Sequence, residues 1–437
     1  MQPTLAQAAS ALFNDPSRHF TVRLWDGAVL PPPHDEDICG EVVLTRPAAL
    51  GLLFPPISER RVADAFLDGD IELRGDAIRL IEAAARWRGP KVRPAALRAV
   101  AALARGLLAS ARPEAFVAAA WRRLHSIGRD RDAVQHHYDV SDELYRLFLD
   151  PEMVYSCAYF DSGDESLEEA QRAKLELVCR KLRLRGGERL LDVGCGWGAL
   201  LAHAAATHGV EGIGITVSDH QLAEARRRFG AAGGSRLTAL ATDYRRLPPG
   251  ERFDKVASIG MMEHVGRDRL GEYFGAIARH LAPGGLLLNH AIADTCAGSS
   301  TIPWAGKAQG GFIGRYIFPD GDLVPLHLVL AAAEKAGFEV LDVESLQQHY
   351  AETLAEWLAR LEARFAEAQR IVGTRRARAY RLYLASSAAA FRLGRISVYQ
   401  TLLARRARDR AVEGRPRSRA EWYRGLGSSK PAQVRRA

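Results

Sequence analysis

Residues 190–200 read LLDVGCGWGAL, an apolar run that closes on Asp192 and opens into glycines at 194, 196 and 198. Glycines at this spacing let the backbone turn sharply from a strand into a helix, so that a ligand can lie against bare peptide. Two chemistries use such a turn. One seats a pyrophosphate on the helix N-terminus, and the other lays the methionine part of a sulfonium cofactor over the glycines. A dinucleotide site wants G-x-G-x-x-G, whereas this turn is Gly-x-Gly-x-Gly after an acid. Upstream, MVYSCAYF at 153–160 sets Cys157 among three aromatic residues. A lone cysteine there reads either as a small buried hydrophobe or as part of a reactive site.

The elements needed to position these groups are visible in the alternation of apolar runs and helical stretches. VEGIGITVS, RLTALATD, FDKVASIG and GGLLLNHAIA follow the glycine turn as strands, with DHQLAEARRRFG and RLGEYFGAIARHL as helices between them. Such alternation predicts an α/β fold with a mostly parallel, Rossmann-like sheet and helices on both faces. Two long amphipathic helices reach to about residue 391, and RISVYQTLL is expected as a late edge strand. Residues 1–85 read as a smaller N-terminal α+β unit with turns at Asp26-Gly27 and Gly69-Asp70. The expected division is a docking domain with helical connector at 1–125, a catalytic domain at 126–406 and a basic tail at 407–437.

The glycine turn after an acid resembles that of S-adenosylmethionine (SAM) methyltransferases, in which Asp192 would fix the cationic methionine end of the cofactor. Thr216 and Gln221 after the second strand, and Asp243 and Tyr244 after the third, stand at strand C-terminal ends, where cofactors of this fold are bonded and stacked. QHHYDVSDELYRLFLDPEMVYSCAYF, LLDVGCGWGAL, ASIGMMEHVG and GGFIGRYIFPDG together resemble the cyclopropane-fatty-acyl-phospholipid synthase family, which includes the mycolic acid cyclopropane synthases. The resemblance covers about residues 130–405, and the leading domain is similar to that of the longer, phospholipid-acting members.

This resemblance implies transfer of a SAM-derived methylene to a cis double bond of an unsaturated phospholipid acyl chain. An alkene is a weak nucleophile, and its attack on a sulfonium methyl leaves a carbocation that water would trap. The site should be dry, lined with aromatic faces, and supplied with a base that does not add to the cation. In the resembling family that base is bicarbonate. Carried over, its site comprises Cys157, Glu263, His290 and Tyr350, completed by the backbone of Ile292, with Tyr155 and Ser156 assigned to the cofactor. A raised pKa is expected of Glu263, since a glutamate beside an anion must be protonated or must bond the acidic hydrogen of bicarbonate. His136, His137 and Tyr138 match a segment that closes over the cofactor, and His264 reads as a structural helix-entry residue. One departure stands at 290–293, where the family often shows HTIG and this chain has HAIA. C-methylation without ring closure therefore stays an alternative, as does a non-enzymatic lipid-binding relic.

The five cysteines are scattered without zinc or disulfide spacing, and metal-free catalysis is expected. Net charge is +8, but residues 374–437 hold seventeen Lys/Arg against three Asp/Glu, leaving 43 against 49 before them. That asymmetry points to an anionic surface as partner. With no signal peptide, spanning segment or nucleic-acid module in the sequence, the expectation is a cytoplasmic enzyme peripherally bound to the inner face of the cell membrane, with a homodimer left open.

Overall fold

The computed structural model describes residues 17–33, 38–50, 52, 58–87, 142–232, 236–295, 311–319, 321–407 and 418–426. Its N-terminal unit is a four-stranded sheet in the order β2-β1-β3-β4. The strands are β1 (Thr21–Arg23), β2 (Val29–Leu30), β3 (Gly40–Leu44) and β4 (Ile71–Gly75). Gly27 turns the β1–β2 hairpin at φ +87°, and Asp26 Oδ1 accepts from Ala28 N at 3.0 Å. Helices α1 (Glu59–Leu67) and α2 (Ala77–Arg86) follow, the second capped by the Asp76 carboxylate, which accepts from Arg79 N.

The larger unit runs α3 (Asp142–Phe148), α4 (Leu167–Leu182), β5 (Arg189–Val193), α5 (Ala199–His208), β6 (Glu211–Thr216), α6 (Asp219–Ala232) and β7 (Leu237–Ala241). It continues through β8 (Phe253–Ile259), α7 (Leu270–His280), β9 (Leu281–Asp294), α8 (Phe312–Tyr316) and α9 (Leu326–Lys335). It ends with β10 (Phe338–Ser345), α10 (Gln347–Ala363), α11 (Phe365–Val372), α12 (Thr374–Arg392) and β11 (Ile396–Arg405). The seven strands lie in the order β10-β11-β9-β8-β5-β6-β7, with β8, β5, β6, β7 and β9 parallel and β11 antiparallel to both its neighbours. In β9, Leu286 and Leu288 pack into one core and Leu287 and Ala291 into the other. A sheet covered on both faces gives such near-continuous apolar runs.

One expectation fails here: β11 is not an edge strand but lies between β9 and β10. Its run ISVYQTLLA is buried on both faces, with Val398 and Leu403 fully so. The edge falls to β10, whose residues are mostly half-buried.

The N-terminal unit is held by arginines of α12. Arg378 donates to the carbonyls of Phe66 (2.6 Å) and Ile71 (3.1 Å) and to Glu72 (2.7 Å), with its guanidinium over the Phe66 ring. Arg375 pairs with Asp68, and Arg381 donates to the Leu73 carbonyl. On the other side of the contact, Glu59 accepts from Phe312 N at 3.0 Å, and Tyr316 donates to Asp64. Three arginines of the basic C-terminal end therefore serve an internal junction. Residues 418–426, within the expected tail, pack on α4, with Trp422 buried and Arg419 paired with Asp342. No helix among the described residues is long and apolar enough to cross a membrane.

Candidate active site

Two clefts of about 1190 and 1340 Å³ open at the C-terminal ends of the central strands and share Tyr155, Ser156, Gly260 and His264 as walls. The first is built on the glycine turn. Gly194, Gly196 and Gly198 have φ of +80°, +54° and +85°, a region that side chains disfavour. A Cβ on Gly198 would stand 2.7 Å from the Phe229 ring, whereas one on Gly196 would meet nothing within 4 Å. Gly198 is required by packing; Gly196 faces open cleft.

Asp192, Thr216, Gln221, Asp243 and Tyr244 line this first cleft with Tyr155 and Ser156. Thr216 donates to Gln221 Oε1 at 2.9 Å, and the Asp243 carboxylate is engaged by the guanidinium and backbone N–H of Arg245. Burial pushes Asp192 up to about 7, opposed by the ammonium of Lys174. A buried carboxylate at the glycine turn suits a cationic ligand, whose charge would favour the ionised form. The residues present fit the methionine end of SAM.

The segment 153–160 forms the partition between the clefts. Asp150 organises its start, accepting from Glu152 N and Val154 N, both at 2.9 Å, while Met153 takes a positive φ of 58°. Gln171 Nε2 donates to the carbonyls of Val154 and Ser156, and Lys174 Nζ donates to Ser156 Oγ at 2.8 Å. From the other side Thr353 accepts from Ala158 N, and His349 Nδ1 accepts from Phe160 N. Cys157 is fully buried, and its thiol donates to the carbonyls of Ala158 (3.2 Å) and Leu346 (3.8 Å). Burial holds that thiol well above its ordinary pKa, so it stays protonated. It is absent from the lining of either cleft.

Glu263, His290, Ile292 and Tyr350 come together in the second cleft. Glu263, in a short 3₁₀ turn after β8, accepts from Ile292 N through Oε1 at 2.8 Å; its Oε2 is buried with no hydrogen-bond partner. The Ile292 amide thus anchors Glu263. Burial raises the Glu263 carboxyl to about 7. His290 receives Gln400 Nε2 at its Nδ1 (3.2 Å), and its Nε2 is buried and unpartnered. Burial, then the Lys174 and Lys181 charges, lowers its pKa to about 3, so the ring is neutral. Ala291, the second residue of HAIA, packs into the core on the opposite face of β9, away from the cleft.

Aromatic rings line the rest. Tyr155, Phe312, Phe318, Tyr350, Tyr383 and Phe391 face the second cleft, with the Tyr155 hydroxyl donating to that of Tyr383 at 3.2 Å. Sequence reasoning missed Lys174, Gln171, Gln400 and the place of His264, which lines both clefts. His136, His137 and Tyr138 lie outside the described residues.

Comparison with known proteins bears on the family and the fold. The sequence profile of the mycolic acid cyclopropane synthetase family matches residues 125–401. A probable fatty acid methyltransferase of Pseudomonas putida is 37% identical over 428 residues, covering 96% of this chain and 100% of its own. The cyclopropane-fatty-acyl-phospholipid synthase of Escherichia coli K12 is 36% identical over 62% of this chain and 67% of its own. The crystal structure of mycolic acid cyclopropane synthase CmaA1, complexed with SAH and CTAB, superposes with a TM-score of 0.58 at 35% identity, covering 63% of this chain and 98% of that one. The fold and the first cleft define a SAM-dependent methyltransferase. The chain belongs to the mycolic acid cyclopropane synthetase family, and its relatives support SAM-dependent modification of unsaturated lipid acyl chains.

Proposed function

We propose that the chain adds a SAM-derived methylene across a cis double bond of an unsaturated phospholipid acyl chain, giving a cyclopropane. The observation that carries this reading is the pair of buried, unpartnered polar atoms, Glu263 Oε2 and His290 Nε2, in one cleft walled by aromatic rings. Asp192, the glycine turn, Thr216 and Gln221 would hold SAM, which supplies an electrophilic methyl group. Tyr155, Phe318 and Tyr383 offer ring faces that stabilise positive charge on the acyl chain, and the apolar walls keep water away. Glu263, His290 and Tyr350 would hold bicarbonate, which supplies a weak base too poor as a nucleophile to add to that charge. The donor set fits such an anion: a neutral imidazole N–H meets its charged oxygen and a carboxyl group raised to about 7 meets its hydroxyl. Cys157 would act from behind the partition, keeping the Tyr155–Ser156 backbone in place through its buried thiol.

The Pseudomonas putida relative, which matches almost the whole chain, carries the name of a fatty acid methyltransferase, and this favours a second reading of methylation without ring closure. One experiment separates the two. The protein is incubated with SAM and vesicles of mono-unsaturated phospholipid, and the lipids are examined by mass spectrometry. Gain of CH2 with loss of the double bond supports the cyclopropane reading; CH2 gained with the double bond kept supports the second.

A further inference from the structure

His290 turns one ring nitrogen toward the second cleft and the other toward the sheet, and the sheet side decides which nitrogen carries the proton. Beneath it Lys181 of α4 is fully buried, paired with Glu344 of β10, and donates to Gln400 Oε1 of β11 at 2.7 Å. An ammonium has donors only, so the carbonyl end of Gln400 must face Lys181. That leaves the amide NH2 of Gln400, also fully buried, facing His290 Nδ1 at 3.2 Å. The NH2 can only donate, so Nδ1 must accept, and the single proton of a neutral ring sits on Nε2. The reversed orientation would set NH2 against ammonium and carbonyl against a ring that then needs its proton on Nδ1.

We propose that Gln400 and Lys181 are positioning residues that lock His290 as the Nε2–H tautomer, so that the second cleft is offered a hydrogen-bond donor at this point and not a lone pair. The outer end of the chain of contacts is closed by residues 418–426. Tyr423 donates to Glu344 Oε1 at 2.6 Å, and the Trp422 ring lies 5.6 Å from Lys181 Nζ. The C-terminal segment thereby covers a buried ion pair two side chains away from His290. An Nε2–H donor is what an anion in the cleft requires, so the use of the relay rests on the proposed function. The tautomer itself is a property of the chain and is read without substrate.

The test is nitrogen-15 NMR of the intact protein labelled at histidine, in buffer free of bicarbonate, with the His290 resonances assigned by their loss in His290→Asn. Wild type is expected to show the neutral Nε2–H pattern. Gln400→Glu, whose carboxylate accepts from Nδ1–H, is expected to move the ring to the Nδ1–H form. Turnover should then fall on the order of tenfold to a hundredfold, the range for partners that orient a functional histidine, while SAM affinity by calorimetry is unchanged. A wild-type ring protonated on Nδ1, or a Gln400→Glu spectrum identical to wild type, overturns the proposal. Should Gln400→Glu fail to fold, the wild-type spectrum alone decides. An Nε2–H ring in an enzyme indifferent to bicarbonate would leave the relay standing and remove the anion site.

Discussion

In the first cleft three pairs of polar side chains are bonded to one another: Thr216 to Gln221, Asp243 to Arg245, Ser156 to Lys174. In the second, Glu263 Oε2 and His290 Nε2 stand buried without partners, although each residue's other polar atom is firmly held. An unsatisfied buried polar group costs about 1–3 kcal/mol, a cost that a ligand reaching these two atoms in the cleft would relieve. On the proposed function, the contrast corresponds to cofactor binding in the first cleft and proton chemistry in the second, with the 153–160 partition between them.

The sharpest way to break this division is to exchange their defects. Glu263→Gln keeps the size and removes the carboxyl. Turnover should drop by about 10²–10⁴, the usual range for a lost acid–base group, with SAM affinity by calorimetric titration within twofold of wild type, to order of magnitude. A comparable loss of SAM affinity would merge the two clefts into one. Gly196→Val should do the opposite. Its side chain enters open cleft at a φ of +54° and should weaken SAM binding by about tenfold or more, through occupied space and a backbone strain of about 1–2 kcal/mol. Rates at saturating SAM should then fall much less than the affinity.

Both clefts also contain a carboxyl group raised by burial, and pH sharpens the comparison. Asp192 and Glu263 rise from 3.8 and 4.5 to about 7. Between these values the folded chain retains protons that the unfolded chain has lost. The stability linked to the two groups is therefore complete below pH ~4 and is lost as pH rises through ~7, on the order of 3 kcal/mol for each. Denaturant midpoints from pH 5 to 8 should show this fall. Glu263→Gln should remove its share of the slope, and saturating SAM should remove the share of Asp192 by offering that carboxylate a cation. A slope unaltered by both would mean that neither group carries it.

The smallest effect concerns the basic end. Arg375, Arg378 and Arg381 dock the N-terminal unit and Arg419 pairs with Asp342, so fewer charges remain for lipid than the net +14 of residues 374–437 suggests. Deleting residues 427–437, which spares the docked segment and removes Lys430, Arg435 and Arg436, should lower co-sedimentation with anionic vesicles at low salt by about fivefold for each of the three that lies near the surface, at roughly 1 kcal/mol apiece. It should leave zwitterionic vesicles unaffected. Equal sedimentation of both proteins at every salt concentration would remove this stretch from membrane binding.

The first cleft was legible because its parts are local: one turn supplies Asp192 and the glycines, and successive strand ends supply Thr216, Gln221, Asp243 and Tyr244. The second cleft gathers residues from 59 to 398 and was reached through resemblance, which names Cys157, Glu263, His290, Tyr350 and the backbone of Ile292 as one set; all but Cys157 line this cleft, and the Ile292 amide donates to Glu263 there. Polar residues on α4 escaped notice because Lys and Gln in a helix ordinarily face water. Gln171, Lys174 and Lys181 share one buried helix face with Val178, a signal present in the sequence but unread. The arginines at 375, 378 and 381 have helical spacing and count in sequence toward the basic C-terminal end, because their partners Asp68, Glu72 and the Leu73 carbonyl stand more than 300 residues earlier. The expectation of an edge strand at β11 fails because its polar residues Ser397, Gln400 and Thr401 are buried against partners on β10 and β9 that the sequence does not place beside them.

The most direct test of the claim that the second cleft holds an anion for proton removal is the rate of product formation as bicarbonate is withdrawn and returned. Wild-type protein freed of carbon dioxide, with SAM and unsaturated phospholipid vesicles at saturation, should slow markedly and recover on added bicarbonate, while Glu263→Gln should stay slow throughout. A wild-type rate that is flat across depletion and resupply would contradict the account.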